Sequence, residues 1–284
     1  MKNITSFALL SAFATVAATA AVTDPVGYIT HTIVGTTSSG SGAPLTVLAP
    51  SLIQPTEFAG SGTPAGTETK QLNFSGGVPT TLDTTYVLEI SGTGWWSTVT
   101  SSTATSITLN DDLPGGTSAD TPVTVRKHNT IGNFLGANNP GIAEFDGVGA
   151  DEVQVLTPGQ AIVSIAYVTT TFGVPQDGWY NLVTNANEDG RVIEPGSAIL
   201  IKTSSAADLT FTSTGEVKTT DTQVDVYQNL TLVGHFDAVG STLGAMNWAT
   251  QLNPLDDPQV TPFDELQFLT PAQGLFAPVA VGPG

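Results

Sequence analysis

Asp151-Glu152-Val153-Gln154-Val155-Leu156-Thr157-Pro158-Gly159-Gln160-Ala161-Ile162-Val163-Ser164-Ile165-Ala166-Tyr167-Val168 carries the two patterns from which the fold class follows. Val153 and Val155 flank Gln154, so one side of this segment is apolar and the other polar. That is the period-two signature of a half-buried strand. Residues 161–168 are apolar almost without a break, which suits a central strand covered on both faces. A short helix is the alternative that periodicity leaves open.

The same patterns repeat outward from this stretch. Tyr86-Val87-Leu88-Glu89-Ile90 alternates, with Tyr86, Leu88 and Ile90 on one face. Ser106-Ile107-Thr108-Leu109-Asn110 and Pro122-Val123-Thr124-Val125-Arg126 alternate too, as do Leu209 and Phe211 around Thr210 and Leu230 and Leu232 around Thr231. Ala198-Ile199-Leu200-Ile201 is a second continuous run. Turn signals separate these segments: Asp111-Asp112-Leu113-Pro114-Gly115-Gly116, Asn138-Asn139-Pro140-Gly141, Gln176-Asp177-Gly178 and Glu188-Asp189-Gly190. Many short strands broken by such turns predict an all-β protein built of sandwiches or barrels.

The first ten residues of the opening stretch recur as Asp264-Glu265-Leu266-Gln267-Phe268-Leu269-Thr270-Pro271-Ala272-Gln273, with seven of ten positions identical. Asn129-Thr130-Ile131-Gly132 has a counterpart in Ser241-Thr242-Leu243-Gly244. Pro44-Leu45-Thr46-Val47-Leu48 has one in Asn229-Leu230-Thr231-Leu232-Val233. Three matches in one order predict two related β-sandwich or barrel-like units. The first is expected at 21–66 and 129–218, with a small β-barrel-like subdomain inserted at 67–128. The second, at 219–284, reads as incomplete, because the counterpart of Gly178-Trp179-Tyr180 does not follow. Either the sequence is a piece of a longer product, the preferred expectation, or a strand of another copy fills the gap. The latter gives self-association through an open sheet edge.

Composition narrows the function. The chain has 25 acidic and 7 basic residues, a formal net charge of -18. Such a surface repels nucleic acid, whose binding needs Lys and Arg, and it disfavours anionic membranes. Cations, Ca²⁺ among them, are attracted. There is no cysteine, which removes disulfides, thiolate metal sites and thiol nucleophiles. Lys2, an apolar Ala-rich run over 4–17 and Ala18-Thr19-Ala20 read as a signal peptide at 1–20, so the chain is expected to be exported to the periplasm, cell surface or exterior, without membrane insertion after cleavage.

A resemblance adds to this. Thr23-Asp24-Pro25-Val26-Gly27-Tyr28-Ile29-Thr30, Tyr86-Val87-Leu88-Glu89-Ile90, the segment 106–113, Asn129-Thr130-Ile131-Gly132, Gly178-Trp179-Tyr180 and Glu194-Pro195-Gly196-Ser197 are similar, in this order, to a family of uncharacterised exported β-rich proteins from Verrucomicrobia-like bacteria. The resemblance covers most of residues 23–217. It implies export and β architecture. The family has no assigned activity, and no catalytic residues come with it.

Chemistry-bearing residues are few. His31, His128 and His235 have no metal-ligand spacing. Asp111, Asp112, Glu144, Asp146, Asp151 and Glu152 are the acids a glycosidase pair would draw on, but they sit beside turns and strand starts, where solvated turn chemistry explains them. Asn185, Asn187 and Asp189, followed by Gly190, resemble the first half of a Ca²⁺ loop. The closing Glu is missing, and a hairpin turn between Asn181-Leu182-Val183 and Arg191-Val192-Ile193 explains the same residues. No other cofactor is expected. Trp95-Trp96 and Trp179-Tyr180 are adjacent aromatics whose side chains alternate across a strand, so one of each pair is a candidate glycan platform. The expected function is a secreted structural or surface-interaction protein of the envelope or matrix, without catalytic activity. A carbohydrate-binding module using the tryptophans is the alternative, and a carboxylate-pair hydrolase ranks last.

Overall fold

The structure, a computed structural model, describes residues 26–40, 43–66, 68–136, 141–159, 161–227, 230–234, 265–267 and 279–280. The expected signal peptide, His235 and most of the second repeat copy lie outside these residues. The strands are β1 (Val26–Ile33), β2 (Leu45–Leu48), β3 (Leu52–Ile53), β4 (Thr56–Ala65), β5 (Glu68–Phe74), β6 (Tyr86–Ile90), β7 (Trp96–Ser102), β8 (Ser106–Leu109), β9 (Thr121–Lys127), β10 (Asn129–Thr130), β11 (Glu152–Leu156), β12 (Ile162–Val168), β13 (Gly178–Asn181), β14 (Val192–Ile193), β15 (Ile199–Lys202), β16 (Leu209–Val217), β17 (Glu265–Leu266) and β18 (Val279–Ala280). Two short α-helices, α1 (Thr36–Ser39) and α2 (Ile131–Leu135), and a 3-10 turn at Thr170–Phe172 complete the set among the described residues. The chain is all-β, and residues 162–168 form a strand rather than a helix.

Six strands close a barrel in the order β4-β5-β8-β7-β6-β9. Its interior is filled by Leu72, Phe74, Leu88, Ile90, Val99, Ile107, Leu109, Val123 and Val125. Each such side chain contributes about 1.5–3 kcal/mol by leaving water. The barrel starts at Thr56, ahead of the expected insertion boundary at 67, because β4 pairs with both β5 and β9 and so is the strand that closes it.

A second core lies between two other sheets. One has five strands in the order β13-β12-β11-β15-β2, the other three in the order β1-β16-β3. Ile33, Val153, Ile165, Tyr167, Trp179, Ile199 and Ile201 meet there, with Phe134 and Leu135 of α2. The Asn129-Thr130-Ile131-Gly132 motif starts that helix. Thr130 Oγ1 accepts from Asn133 N (3.3 Å) and Asn133 Oδ1 accepts from Thr130 N (2.7 Å), a reciprocal cap that satisfies backbone donors at the helix entrance. Asp151, at the start of β11, is buried. Its carboxylate accepts from Ser204 N (2.6 Å), Ser204 Oγ (2.9 Å), Thr203 Oγ1 (2.7 Å) and Ala143 N (3.0 Å), tying two loops to the strand.

The barrel's outer wall packs on this second body. Both faces of β6 are therefore buried, where the alternation of Tyr86, Leu88 and Ile90 predicts one. Val87 and Glu89 face the contact, together with Arg126 and His128. Arg126 Nη1 lies 2.9 Å from Glu216 Oε2 on β16, and its Nε lies 3.3 Å from Glu89 Oε2. Lys218 Nζ pairs with Glu89 Oε1. Gln54 and Asn129 bind each other across the two crossover points (2.8 Å), and Asn129 Nδ2 also donates to Leu52 O (2.9 Å).

After β16 the chain runs back over both bodies. Gln223 N donates to Gly94 O (2.9 Å), Val224 rests on Gly196, and Ala198 N donates to Leu232 O (3.1 Å). The alternation around Thr231 predicts a strand, but the chain makes only one bridge there, Val233 with Ser197. Gly196 has a positive φ of 82°, and a Cβ on it would meet Val224 Cγ2 at 2.3 Å. Gly196→Ala therefore combines left-handed strain with a clash and is expected to cost about 1–3 kcal/mol in urea unfolding. A variant that unfolds at the wild-type midpoint would contradict this packing.

One expected pairing is corrected. Arg191-Val192-Ile193 does not return as a hairpin to Asn181-Leu182-Val183. β14 pairs with β10 instead, and β13 pairs with β12 and, at Tyr180, with Asn187. The cause is Asn181, whose Oδ1 accepts from Val183 N (2.8 Å) and Thr184 N (2.9 Å) and turns the chain before a hairpin can extend. In the segment expected to be a second repeat copy, Leu266 pairs antiparallel with Val279, as Val153 pairs with Ile165, with a connection one residue longer.

Candidate functional site

A concavity lies where the returning segment crosses the five-stranded sheet. It has a volume of about 510 Å³, bounded by the end of β11, by β14 and the start of β15, and by Tyr227, Leu230, Thr231 and Leu232. Leu156, Ile193 and Leu232 supply apolar wall. Thr157, Asn187, Glu188, Arg191, Glu194, Ser197, Tyr227 and Thr231 supply polar groups. Arg191 grips Glu188 through Nε (2.7 Å) and Nη2 (2.8 Å), so its charge is neutralised within the wall. Tyr227 Oη donates to Glu194 Oε2 (3.3 Å). Burial pushes the Glu194 carboxyl above the usual range, with Asp225 and Asp111 adding to the rise. Burial, then Glu194 itself with Asp225 and Asp111, push the Tyr227 phenol up to about 12. A half-buried carboxyl and phenol beside threonine and serine hydroxyls offer both donors and acceptors to a polar guest.

No family model, curated protein or solved structure matches this chain. Its own residues must therefore carry the reading.

The four candidate aromatics serve the fold in different ways. Trp179 is fully buried and donates from Nε1 to Gly136 O (3.1 Å). Tyr180 is buried and donates to Gln176 O (3.1 Å). Neither is a platform, because Gly178-Trp179-Tyr180 lies on β13, with Trp179 in the main core and Tyr180 in a side cluster with Val168 and Val174. Trp95 is half-buried against the barrel core, and Trp96 is half-buried with its indole N–H donated to Gln223 O (2.7 Å). Part of each ring stays open to solvent, at the barrel end that the returning segment crosses.

The Ca²⁺ loop is closed by its own bonds. Asp189 accepts from Trp179 N through Oδ1 (2.8 Å) and from Asn187 Nδ2 through Oδ2 (2.8 Å), while Asn187 Oδ1 accepts from Asp189 N (3.1 Å). Asn185 stands apart as a left-handed turn residue with a φ of 56°. These bonds engage the oxygens of Asn187 and Asp189 and position Trp179. The acids are dispersed. Asp111 accepts from Ser97 Oγ (2.8 Å), Asp112 from Thr69 Oγ1 (2.5 Å), and Glu152 pairs with Lys202 (3.5 Å). Asp146 holds a turn through Val148 N and Gly149 N, bonds that lower its pKa.

Both described histidines are buried. His31 Nε2 lies 2.8 Å from Ser213 Oγ, and its ring stacks on Phe211. His128 Nε2 lies 3.1 Å from Thr98 Oγ1, and burial pushes its pKa down to about 4 from an ordinary 6.5. The unfolded chain then binds a proton more readily than the folded one. The contribution of neutral His128 is complete above pH 6.5 and is lost as pH falls towards 4, by about 3 kcal/mol. Glu194, with its raised pKa, acts in the opposite sense as pH rises above the ordinary carboxyl range. The expected result is a fall in urea midpoint between pH 6.5 and 4 in a Glu194→Gln background, made smaller when His128→Gln is added, with the burial of His31, which also lowers its pKa, accounting for what remains. A flat profile in the single variant would remove the assignment.

Sequence reasoning marked Glu194 only as part of a turn and did not single out Tyr227. The two lie on segments with no shared pattern, so no local signal could have joined them.

Proposed function

We propose that this is an exported structural or surface-interaction protein of the cell envelope or extracellular matrix, without catalytic activity. The observation that carries this reading is the use of interior charge. Glu89, Arg126, Glu216 and Lys218 form one buried network that clamps the barrel to the sandwich-like body, and Asp151 is spent on joining loops to β11. Charged groups placed as internal cross-links suit a protein whose task is to hold a shape. The acidic balance of -18 supports an exposed, solvated surface that does not bind nucleic acid. The signal-like segment at 1–20 supports export. The paired strands at Leu266 and Val153 support the two-copy organisation.

Light scattering and electron microscopy of the purified chain, with localisation of the native protein by antibody, test the reading. Ordered assemblies or surface-bound protein are the expected result. A chain that stays monomeric at high concentration and is found free in the medium would overturn it.

A second reading, a carbohydrate-binding module, draws on the half-open rings of Trp95 and Trp96 and on the hydroxyl-lined cavity at Glu194. A glycan array with Trp95→Ala, Trp96→Ala and Glu194→Gln separates the two sites. Binding lost in the tryptophan variants alone places the glycan on the barrel, and absence of binding by the wild-type chain removes the reading.

A further inference from the structure

β1 is an edge strand of unusual character for this chain. Among the described residues it pairs with β16 alone, through all eight positions from Val26 to Ile33. In an antiparallel ladder, alternate residues turn both N–H and C=O towards the partner, and the others turn both away. Four of the eight residues of β1 therefore point a donor and an acceptor outward. Proteins ordinarily blunt such an edge with charge, proline, a bulge or a very short strand. Val26-Gly27-Tyr28-Ile29-Thr30-His31-Thr32-Ile33 has no acid, lysine, arginine or proline, and its register with β16 is unbroken. The other sheet edges are shorter: β2 and β13 have four residues each and β3 has two.

The side chains along β1 are arranged for addition of a strand. Gly27, Ile29, His31 and Ile33 face inward, and His31 and Ile33 are buried. Val26, Tyr28, Thr30 and Thr32 form the outer row, with Val26 76% and Tyr28 77% exposed. Across the ladder lie Thr210, Thr212 and Thr214, opposite Thr32, Thr30 and Tyr28. The result is an exposed threonine–tyrosine face, bounded opposite Val26 by Glu216 in its ion pair with Arg126, that ends at an open edge.

We infer that β1 is the self-association edge of this protein and that its occupant is β1 of a second copy, added antiparallel across a two-fold axis. This rests on the proposed structural role and names the surface that would serve it. Charge decides for a second copy. Two chains of net charge -18 repel over most approaches, and β1 is a long edge with no acid of its own. A two-fold pair is also self-complementary, since each copy offers the same alternation of donors and acceptors. Register is limited by the faces. Tyr28 must lie opposite Thr30 or Thr32 of the second copy, because a slip of one residue would push the outer row into the core side. Six strands, three from each copy, then form one continuous sheet.

The absence of cysteine makes the test direct. Thr30→Cys gives the full chain a single thiol on the exposed row, and Val148→Cys gives one at a 96% exposed position elsewhere. Under mild oxidation Thr30→Cys is expected to cross-link into dimers at least ten-fold faster than Val148→Cys. Sedimentation velocity of the wild-type chain is expected to give twice the chain mass. The double variant Tyr28→Glu/Thr32→Glu should sediment at the single-chain mass with an unchanged circular dichroism spectrum and a melting temperature that no longer rises with chain concentration, while Val148→Glu stays dimeric. Equal cross-linking rates, or a double variant that still associates, would overturn the assignment of the edge and leave the structural role standing on its other surfaces. A wild-type chain that is monomeric in solution and absent from any surface would overturn both.

Discussion

Arg126→Met is expected to lower the unfolding free energy by about 3–5 kcal/mol, with the urea midpoint moved accordingly. Arg126 stands on β9, on the outer wall of the barrel, and its side chain is 9% exposed. Its guanidinium reaches Glu216 on the neighbouring sheet, Glu89 on β6 and the carbonyl of Gln54 (2.9 Å). Removal of the arginine leaves two buried carboxylates with one cation, Lys218, to share between them. The loss comes from that uncompensated charge more than from the bonds themselves. A second consequence follows from position. The network is the main polar link between barrel and sandwich-like body, so its loss should uncouple them. Trp95 and Trp96 report on the barrel and Trp179 on the other core. Hydrogen exchange of these three indole N–H groups in the otherwise intact chain should show coincident opening in the wild type and separated opening in Arg126→Met. Coincident opening with an unchanged midpoint would show that the joint is held by its apolar contacts instead. Replacement of all four charged groups by apolar ones of similar volume should restore most of the stability, since the desolvation cost disappears with the charges.

Trp179→Ala is expected to cost about 3–5 kcal/mol and to loosen the sandwich-like core throughout. The ring is fully buried, packs edge to face on Tyr167 (5.4 Å between centroids), and holds the chain after α2 by its bond to Gly136 O. Truncation opens a large cavity and leaves that carbonyl without its donor. Trp179→Phe keeps most of the volume and should recover more than half of the loss. Thermal unfolding followed by near-ultraviolet dichroism measures both. An alanine variant within 1 kcal/mol of wild type would show that the core collapses around the site. The backbone of Trp179 is fixed by Asp189, so Asp189→Ala should reproduce part of the effect without touching the ring.

The strands were legible because their signal is local. Val153-Gln154-Val155 alternates as a sheet with one buried face demands, and β11 forms there. The same holds for β8 and for most of β9. The reading failed where burial came from a distant segment. Val87 and Glu89 look like the solvent side of β6, but Lys218 covers Glu89, and Val87 faces Ile53 and Ile193 of the neighbouring body. Trp179-Tyr180 reads as one ring in and one out, yet each side has its own apolar cluster waiting for it. Asn187 and Asp189 have the oxygen pattern of a cation loop, and only the fold reveals that Trp179 N and the loop itself occupy those oxygens.

Period-two alternation, turn residues and the absence of cysteine determined by themselves that the chain would be a β protein held together without covalent cross-links. Those features act over a few residues and need no knowledge of what lies across the sheet. Tertiary structure alone decided that β4 closes the barrel, that four charges meet between barrel and sandwich-like body, and that β1 pairs with β16 alone among the described residues. Each depends on pairing between segments tens of residues apart, and backbone hydrogen bonding, being the same for every residue, leaves no mark of its partner in the sequence.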